Sequence, residues 1–387
     1  MLPFGSVEFF ALMAIFVAII GIGKVLNIGS LTYKYVLVAL NAVFLIIVYP
    51  SPVHFFLLIV FSYLITYVVS KVIRPKKKIW GLLLLLLPML LVKFNIRVPF
   101  YPFELNNLLA FAGLSYASFR IMGYYMDRSP NEPMADPATY FNFLAFTPTL
   151  LIGPIDKYAR FRQSQDTALS NLNTENYIIG WNYIVKGVAF KYVLAELVDR
   201  YWLNTFPTDT GGLLPVLNGM YAYYAFLFFD FAGYSHMALG IGKMMGINVP
   251  VNFTNPFVAV NPQDFWRRFH ISLGEWLKEY FFTPLYLYFS RLKRFKPYPA
   301  FRQNFALLMT FLLMGCWNGF KAHYVISGLL FGLYSAIHNQ YVIQCKKTGK
   351  DVVFGNLNPV VVKYLSIFIM INLVAFSLYI FSGRLHF

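Results

Sequence analysis

Apolar runs of near membrane-spanning length recur along the whole chain, and they limit its possible folds more than any other feature. The clearest runs are Phe9–Ile22, Tyr35–Tyr49, Phe55–Val72, Ile79–Val92, Phe305–Trp317, Tyr324–Ile337 and Val360–Phe381. A helix needs about 20 apolar residues to cross a bilayer. Several of these runs are shorter, so their helices must extend into the flanking residues or be partly re-entrant. Only 12% of the residues are charged, where soluble proteins have about 25%. The pattern predicts an all-α polytopic membrane protein with about ten to twelve membrane-embedded helices.

Basic residues lie in short clusters between the apolar runs, and Lys and Arg outnumber Asp and Glu by 32 to 16. The clusters are at Arg74–Lys78, Lys157–Arg162, Arg291–Lys296 and Lys346–Lys350. Short basic loops mark the cytoplasmic side of membrane proteins and bind anionic lipid headgroups. We therefore expect membrane lipids rather than nucleic acid as partners. The protein should be a multi-pass protein of the plasma membrane, with its first helix retained as a span.

The character of the chain changes near Asn106. Residues 1–100 are apolar helices joined by short polar turns, whereas later apolar runs contain Gly, Pro and charged residues. Helices at membrane depth tolerate such breaks where protein or water, rather than lipid, satisfies the freed backbone groups. We predict a single domain over residues 1–387, with re-entrant segments around a central cavity. It would comprise outer helices in 1–100, a core in 106–345 and a C-terminal helix in 360–387.

The densest mixture of ionisable and aromatic residues is the stretch Phe265–Leu273, which reads Phe-Trp-Arg-Arg-Phe-His-Ile-Ser-Leu. Ionisable groups are costly next to lipid, so a dense group of them usually lines a cavity or carries function. An amphipathic helix that lies at the interface with its arginines toward the headgroups is the alternative interpretation.

The spacing within this stretch is typical of a helix that begins near Asp264. Asp264 precedes Arg267 by three residues and Arg268 by four, so one helical face would bring the opposite charges together. Trp266 precedes His270 by four residues, so the indole would lie against the imidazole. Upstream, the apolar surroundings of Asp230 predict a structural ion pair with a buried arginine, because an unpaired buried charge is costly.

Motifs between about residue 106 and the C-terminus resemble, in order and spacing, those of the membrane-bound O-acyltransferase family. They are Leu114–Tyr116 with Phe119-Arg120, Pro148-Thr149 with Gly153–Asp156, Phe228–Ser235, Asn248–Phe257, Phe265–His270, Pro284-Leu285 and Phe381–Gly383. No single motif is specific, but their joint occurrence is. Within the family, the resemblance is greatest to the branch that attaches D-alanine to teichoic acids.

The resemblance implies a funnel that reaches a catalytic histidine from one side and a narrow channel that enters from the other. The donor would be D-alanine, carried as a thioester on the phosphopantetheine arm of a small acidic carrier protein. The acceptor would be a hydroxyl of lipoteichoic acid or of an intermediate. No resident cofactor is expected, because the carrier delivers the phosphopantetheine and the sequence has no zinc motif or phosphate-binding glycine loop. The carrier would dock on basic residues, for which the candidates are Arg291, Lys293, Arg294 and Lys157.

One position departs from the family pattern. The family's catalytic histidine stands in a Trp-His-Gly motif, whereas this chain has Trp317-Asn318-Gly319. An amide can orient an acceptor or donate to an oxyanion, but it cannot take a proton at neutral pH. His323 is the nearest replacement base, since imidazole is suited to general-base catalysis. The alternatives are an impaired protein and a site that relies on His270 alone.

The remaining substrate-binding candidates follow from the same resemblance. The oxygen of a thioester gains negative charge during acyl transfer and needs hydrogen-bond donors. Residues that would bind the substrate or supply such donors are Trp317, Arg267, Arg268, Trp266, Ser235 and Asn252, together with the candidate catalytic residues His323, His270 and Asn318.

Two other functions remain open from the sequence. An exporter or flippase for D-alanine or a lipid-linked intermediate would use the same charged residues without forming a bond, although the lack of an internal repeat counts against many transporter folds. An O-acetylase of polysaccharides would belong to the same family but transfer a different acyl group.

Overall fold

The computed structural model describes residues 6–49, 52–72, 78–93, 113–129, 132–205, 212–349, 351, 353–355 and 357–385. They form two compact units. Unit 1 comprises Met1–Gly187 and Tyr234–Pro250, and unit 2 comprises Val188–Gly233 and Val251–Phe387. Part of the basic cluster at 74–78, residues 106–112 of the expected core, and Lys350 lie outside the described residues. The expectation of a single domain stays a prediction.

Unit 1 contains apolar helices followed by a group of shorter ones. The helices are α1 (Val7–Val25), α2 (Ser30–Val48), α3 (Pro52–Val72), α4 (Lys78–Lys93), α5 (Leu114–Asp127), α6 (Pro137–Ala145), α7 (Tyr158–Asp166), α8 (Ala168–Asn171) and α9 (Thr174–Val188). Helix α11 (Leu213–Met244) begins in unit 2 and ends in unit 1. A short 3-10 turn, Thr147–Thr149, follows α6.

Unit 2 consists of helices interrupted by π-helical turns. The π-turns Ala189–Leu194 and Asp199–Leu203 flank α10 (Ala195–Val198). Beyond α11 lie α12 (Pro262–Trp266), α13 (Ile271–Leu277), the π-turn Lys278–Phe282, α14 (Thr283–Arg291), α15 (Pro299–Asn318), α16 (Ala322–Thr348) and α17 (Pro359–Phe381).

Apolar residues cover the outside of the candidate membrane-spanning helices as well as their packed faces. In α1, Phe16 and Ile20 are buried, whereas Val7, Ile15 and Val25 are exposed. Within the described part of the chain, four helices are long and apolar enough to cross a membrane: Val7–Val25, Ser30–Val48, Pro52–Ser70 and Pro359–Phe381. An apolar outer face of this length is stable next to lipid rather than water. The predicted all-α fold of a polytopic membrane protein is confirmed, while the central funnel stays a prediction.

Helices α15 and α16 form a closely packed hairpin in unit 2. A side chain at Gly315 would come within 2.5 Å of the Tyr324 carbonyl oxygen, and one at Gly328 within 2.5 Å of the Phe311 carbonyl oxygen. Small residues at such contacts let two membrane helices approach closely. The hairpin turn at Gly319 therefore places the end of α15 and the start of α16 next to each other.

Arg120 is the largest fully buried side chain of the described residues, at 1% exposure. Its guanidinium donates to the carbonyl oxygens of Phe143 and Leu144 at 3.1 and 3.3 Å. It also donates to Thr149, to the carbonyl at 2.8 Å and to the side-chain oxygen at 2.6 Å. These acceptors lie at the end of α6 and in the 3-10 turn, where regular helical hydrogen bonding stops. Arg120 thus satisfies backbone groups that lipid would leave unpaired.

We expect Arg120→Ala to destabilise the protein strongly. The substitution leaves several buried acceptors without a donor, and the loss should be roughly 3–5 kcal/mol. Thermal unfolding of the purified protein in detergent measures it. Arg200→Ala is the matched control, because Arg200 makes an exposed ion pair with Glu196 and such pairs contribute less than about 1 kcal/mol. Equal melting temperatures for the two variants would contradict the role of Arg120.

Candidate active site

The charged and aromatic stretch does not form the continuous helix that its spacing predicts. Helix α12 ends at Trp266, and α13 begins at Ile271. Between them the backbone reverses at His270, which has φ 49° and ψ 49° in the left-handed region. A residue other than glycine is disfavoured there and needs support from its surroundings. The predicted helix over this stretch is therefore wrong.

The support comes from Asn252, whose backbone and side chain both bind the start of α13. Its carbonyl oxygen accepts from the Ile271 amide at 3.0 Å. Its side-chain oxygen accepts from the Ser272 amide at 3.1 Å and from the Ser272 hydroxyl at 2.6 Å. A bridge between Phe253 and Phe269 runs alongside. These non-local contacts outweigh the local helical spacing, so Asn252 holds the His270 turn in place.

The charges of the stretch are arranged in part as predicted. Asp264 forms an ion pair with Arg268 at 2.8 Å, four residues on, which confirms that pairing. Arg267 is exposed. The imidazole of His270 meets Phe231 edge-on at 4.7 Å, while Trp266 packs against Phe311 and Phe331 at 5.1 and 5.0 Å. The prediction that Trp266 walls His270 is wrong, because the turn at His270 directs the two rings to different neighbours.

Three buried nitrogen atoms in this region have no hydrogen-bond partner among the described residues. They are Nδ1 of His270, Nδ2 of Asn252 and Nε1 of Trp266. Buried polar groups in proteins are almost always paired, so unpaired ones mark places where water or a polar ligand atom is held. Asn252 and Trp266 can only donate there, whereas a neutral imidazole can also accept. The substrate-binding roles of these residues stay predictions.

His323 lies at the start of α16 and is held by the end of α17. Its Nδ1 lies 2.9 Å from the carbonyl oxygen of Phe381. A carbonyl oxygen can only accept, so Nδ1 carries a proton, and in the neutral ring Nε2 keeps its lone pair. Phe381 is the last residue of α17, and the carbonyl end of a helix stabilises positive charge. The ring is thus oriented to accept a proton at Nε2.

Gly383 packs directly against the imidazole of His323. It has φ 72°, and a side chain there would lie 3.0 Å from both Cε1 and Nδ1 of the imidazole. Tyr324 covers the ring at 4.0 Å and meets Phe381 edge-on at 4.9 Å. The sequence identifies Phe381–Gly383 as a family motif, but it gives no signal that this motif contacts His323, since 58 residues separate Phe381 from it.

The end of α15 places Asn318 five residues before His323. The Asn318 side chain is exposed and donates to the Met314 carbonyl at 2.9 Å. Its amide nitrogen therefore binds the end of its own helix, and its oxygen remains to accept. Trp317 is partly buried beside it. The described contacts place Asn318 and His323 in one hairpin turn.

The other predicted residues fall in several places. Ser235, in unit 1, is buried, and its hydroxyl has no partner among the described residues. Asp230 pairs with Lys191, so the expected ion pair is present but the partner is not an arginine. Lys157 is partly buried in unit 1. Arg291 at the end of α14 and the cations Lys293, Arg294 and Lys296 in the turn that follows are exposed.

The chain matches the model of the membrane-bound O-acyltransferase family over residues 54–381. It is 33% identical over 314 residues to the teichoic acid D-alanyltransferase of Streptococcus thermophilus, covering 78% of this chain and 74% of that protein. It is 31% identical over 283 residues to the enzyme of the same name from Bacillus subtilis, covering 72% and 70%. It is also 30% identical over 299 residues to a peptidoglycan O-acetyltransferase of Helicobacter pylori, covering 70% and 54%.

A polytopic helical fold, polar residues gathered at turns between membrane helices, and these similarities define a class of membrane-embedded transferase. The chain belongs to the membrane-bound O-acyltransferase family. It is a multi-pass protein of the cell membrane and an acyltransferase, which confirms the predicted enzyme class and location.

We expect Asn252→Ala to destabilise unit 2 by about 2–3 kcal/mol. The change removes the side-chain acceptor of two hydrogen bonds from Ser272 and so removes support from the His270 turn. Thermal unfolding in detergent tests this. Asn248→Ala is the control, because Asn248 is exposed and surface substitutions change stability by about 0.5 kcal/mol or less. An unchanged melting temperature for Asn252→Ala would show that the turn is held by other contacts.

Proposed function

We propose that this enzyme transfers D-alanine from the thioester of a carrier protein to a hydroxyl of teichoic acid or of its precursor. The relatives named D-alanyltransferases support this choice of acyl group. The chain covers 70–74% of their lengths, whereas it covers 44–54% of the named O-acetyl-transferring relatives. A phosphopantetheine arm would enter with the carrier, so the enzyme needs no cofactor of its own.

His323 is the proposed general base, and its hydrogen bond to the Phe381 carbonyl is the observation that carries the proposal. Nε2 accepts the proton of the acceptor hydroxyl while the hydroxyl oxygen attacks the thioester carbonyl carbon. The tetrahedral intermediate then collapses, the carbon–sulfur bond breaks, and the imidazolium returns its proton to the leaving thiolate. The new bond is an oxygen ester, and no oxidant or metal is required.

The helix end behind His323 supports this chemistry in the transition state. The ring gains positive charge as it takes the proton, and the Phe381 carbonyl at the end of α17 favours that charge. Asn318, at the family's histidine position, retains an amide oxygen that can orient the incoming hydroxyl. We thus place the base at His323, five residues after the family's histidine position at Asn318 and in the same hairpin turn.

His270 is proposed to bind substrate rather than to act as the main base. Its buried Nδ1 has no backbone acceptor that would fix the tautomer, in contrast to His323. The unpaired nitrogens of His270 and Asn252 are suited to a hydroxyl or water, which can donate to one and accept from the other. Arg267, which is exposed, and Arg268, which pairs with Asp264, are proposed to contact charged groups of the donor.

The carrier protein is proposed to dock on the turn that follows α14. Among the described residues, Arg291, Lys293 and Arg294 form no ion pair with a carboxylate, so their charges are available to an acidic partner. The turn is anchored from within, since Phe295 stacks on Phe301 at 5.6 Å and meets Phe289 at 5.3 Å. An anchored surface loses little entropy when it binds.

We expect purified wild-type protein in vesicles to form an ester when it receives a D-alanyl-loaded carrier and teichoic acid. His323→Ala should lower kcat by about 10²- to 10⁴-fold, because the hydroxyl proton loses its acceptor. Radiolabel in the acceptor measures the product. Transfer from an acetyl thioester but not from the D-alanyl carrier would overturn the proposed substrate, and label that crosses the membrane without ester would overturn transfer itself.

Three variants separate the role of His323 from general damage. His338→Ala, on the same helix, should leave kcat within about twofold. Gly383→Ala should lower kcat while the fold persists, because the added methyl group displaces the imidazole. Asn318→His restores the family motif. Higher activity in Asn318→His, combined with normal activity in His323→Ala, would remove His323 from the mechanism.

We expect reversal of charge at the docking turn to weaken carrier binding. Lys293→Glu combined with Arg294→Glu should raise the Kd for the carrier about tenfold or more at low salt and flatten its salt dependence. Binding of the loaded carrier to nanodisc-embedded enzyme measures both. Lys347→Glu is the control, since Lys347 is an exposed cation at the end of α16. An unchanged Kd in the double variant would exclude this surface.

A further inference from the structure

Unit 1 contains a polar cavity of about 480 Å³ that the proposed transfer reaction does not use. Charged side chains of both signs line it, together with two tyrosines and a short apolar edge. The charged residues are Lys34, Arg128, Arg162, Asp127, Glu132, Asp136 and Asp166, and the tyrosines are Tyr124 and Tyr158. The volume suits a small molecule or a lipid headgroup.

The positive-inside rule, applied to the basic sequence at 74–78, assigns the cavity to the cytoplasmic end of the membrane helices. Lys34 lies one turn after the start of α2, which is long and apolar enough to span the bilayer. Helix α3 runs back toward that side because only a short connection joins it to α2. The sequence that follows α3 is the basic cluster 74–78. Basic loops mark the cytoplasmic side, so the cavity lies at the inner headgroup layer.

Part of the cavity wall is held in place by hydrogen bonds and burial, whereas Arg162 and Asp166 are exposed and form an ion pair at 3.8 Å. Asp136 accepts from Lys34 at 3.0 Å and from the Thr139 amide and hydroxyl at 3.0 and 2.9 Å. Arg128 is only 7% exposed. The hydroxyl of Tyr124 accepts from the Ala135 amide at 2.9 Å. This held part of the wall loses little side-chain freedom when a ligand binds.

A buried chain of hydrogen bonds joins this wall to the interior of unit 1. Asn41 accepts from the Thr147 hydroxyl at 2.8 Å and donates to Asn142 at 3.1 Å. Asn142 donates to Gln165 at 2.9 Å, and Gln165 donates to Thr139 at 3.1 Å. All five side chains are buried. A connected buried network of this kind holds its members in one arrangement.

The charges of the lining residues determine which kind of ligand the cavity can bind. Four carboxylates and three cations line the cavity, so an anion is disfavoured and a ligand with both signs fits. Within the described part of the chain, no three His, Cys, Asp or Glu side chains form a group suited to a metal ion. A primary ammonium donates hydrogen bonds to carboxylates, whereas a quaternary ammonium has no N–H group to donate.

We propose that this cavity binds the headgroup of a zwitterionic phospholipid that carries a primary ammonium. The phosphate lies toward Arg128 and Arg162, and the ammonium lies toward Glu132 and Asp166. The location in the headgroup layer favours a lipid over a soluble zwitterion, because the bilayer presents the headgroup at high local concentration. The inference is independent of the acyl group that the enzyme transfers.

Lipid binding to the purified full-length protein tests the proposal. Native mass spectrometry and lipid-dependent thermal shifts should show phosphatidylethanolamine retained about fivefold more tightly than phosphatidylcholine or phosphatidylglycerol. Glu132→Gln combined with Asp166→Asn leaves the cations in excess, so the order should reverse in favour of phosphatidylglycerol. Glu175→Gln, on α9 outside the cavity, should keep the wild-type order.

Two further comparisons make the result decisive. Arg162→Gln, a change at an exposed side chain, should weaken retention of phosphatidylethanolamine about threefold without a change of melting temperature in lipid-free detergent. Soluble phosphoethanolamine should bind far more weakly than the lipid. Equal retention of all three lipids, wild-type preference for phosphatidylglycerol, or equal binding of the soluble headgroup would overturn the proposal.

Discussion

Lipid offers no hydrogen bonds, so most polar groups inside this protein find their partners within the chain. The buried guanidinium of Arg120 shows how this constraint shapes unit 1. The chain leaves regular helix between α6 and α7, and Arg120 binds the carbonyl groups that this departure frees. The buried hydrogen-bond network that begins at Asn41 holds the same region, because Asn41 accepts from the hydroxyl of Thr147. Irregular backbone at membrane depth becomes possible because these side chains replace water.

The same rule distinguishes the two histidines of unit 2. The His323 imidazole uses the last carbonyl of α17 as a fixed acceptor, which orients the ring and leaves Nε2 ready to take a proton. His270 sits in a strained turn that Asn252 stabilises, and its buried Nδ1 has no partner among the described residues. A backbone acceptor fixes the tautomer of His323, whereas none fixes that of His270. The proposed assignment of roles follows from this difference.

Much of the architecture could be predicted from residue patterns. Each apolar run predicted from the sequence lies in a described helix, apart from Tyr49 just after the end of α2, because a long apolar segment has no other stable form in a bilayer. The ion pair of Asp264 with Arg268 was also predictable, since both residues belong to one local stretch. The helix expected across His270 was not found. Its spacing is helical, but hydrogen bonds that Asn252 accepts from Ile271 and Ser272 determine the backbone there, and no local sequence pattern predicts them.

Sequence alone determined the membrane class, the enzyme family and the candidate residues, since hydropathy and motif order are properties of the chain itself. Only the tertiary structure decided that Asp230 pairs with Lys191, that Asn252 supports the His270 turn, and that Phe381 and Gly383 hold His323. Each of these contacts joins residues distant in the chain. Their partners are chosen by helix packing, which brings unsatisfied donors and acceptors together irrespective of sequence separation.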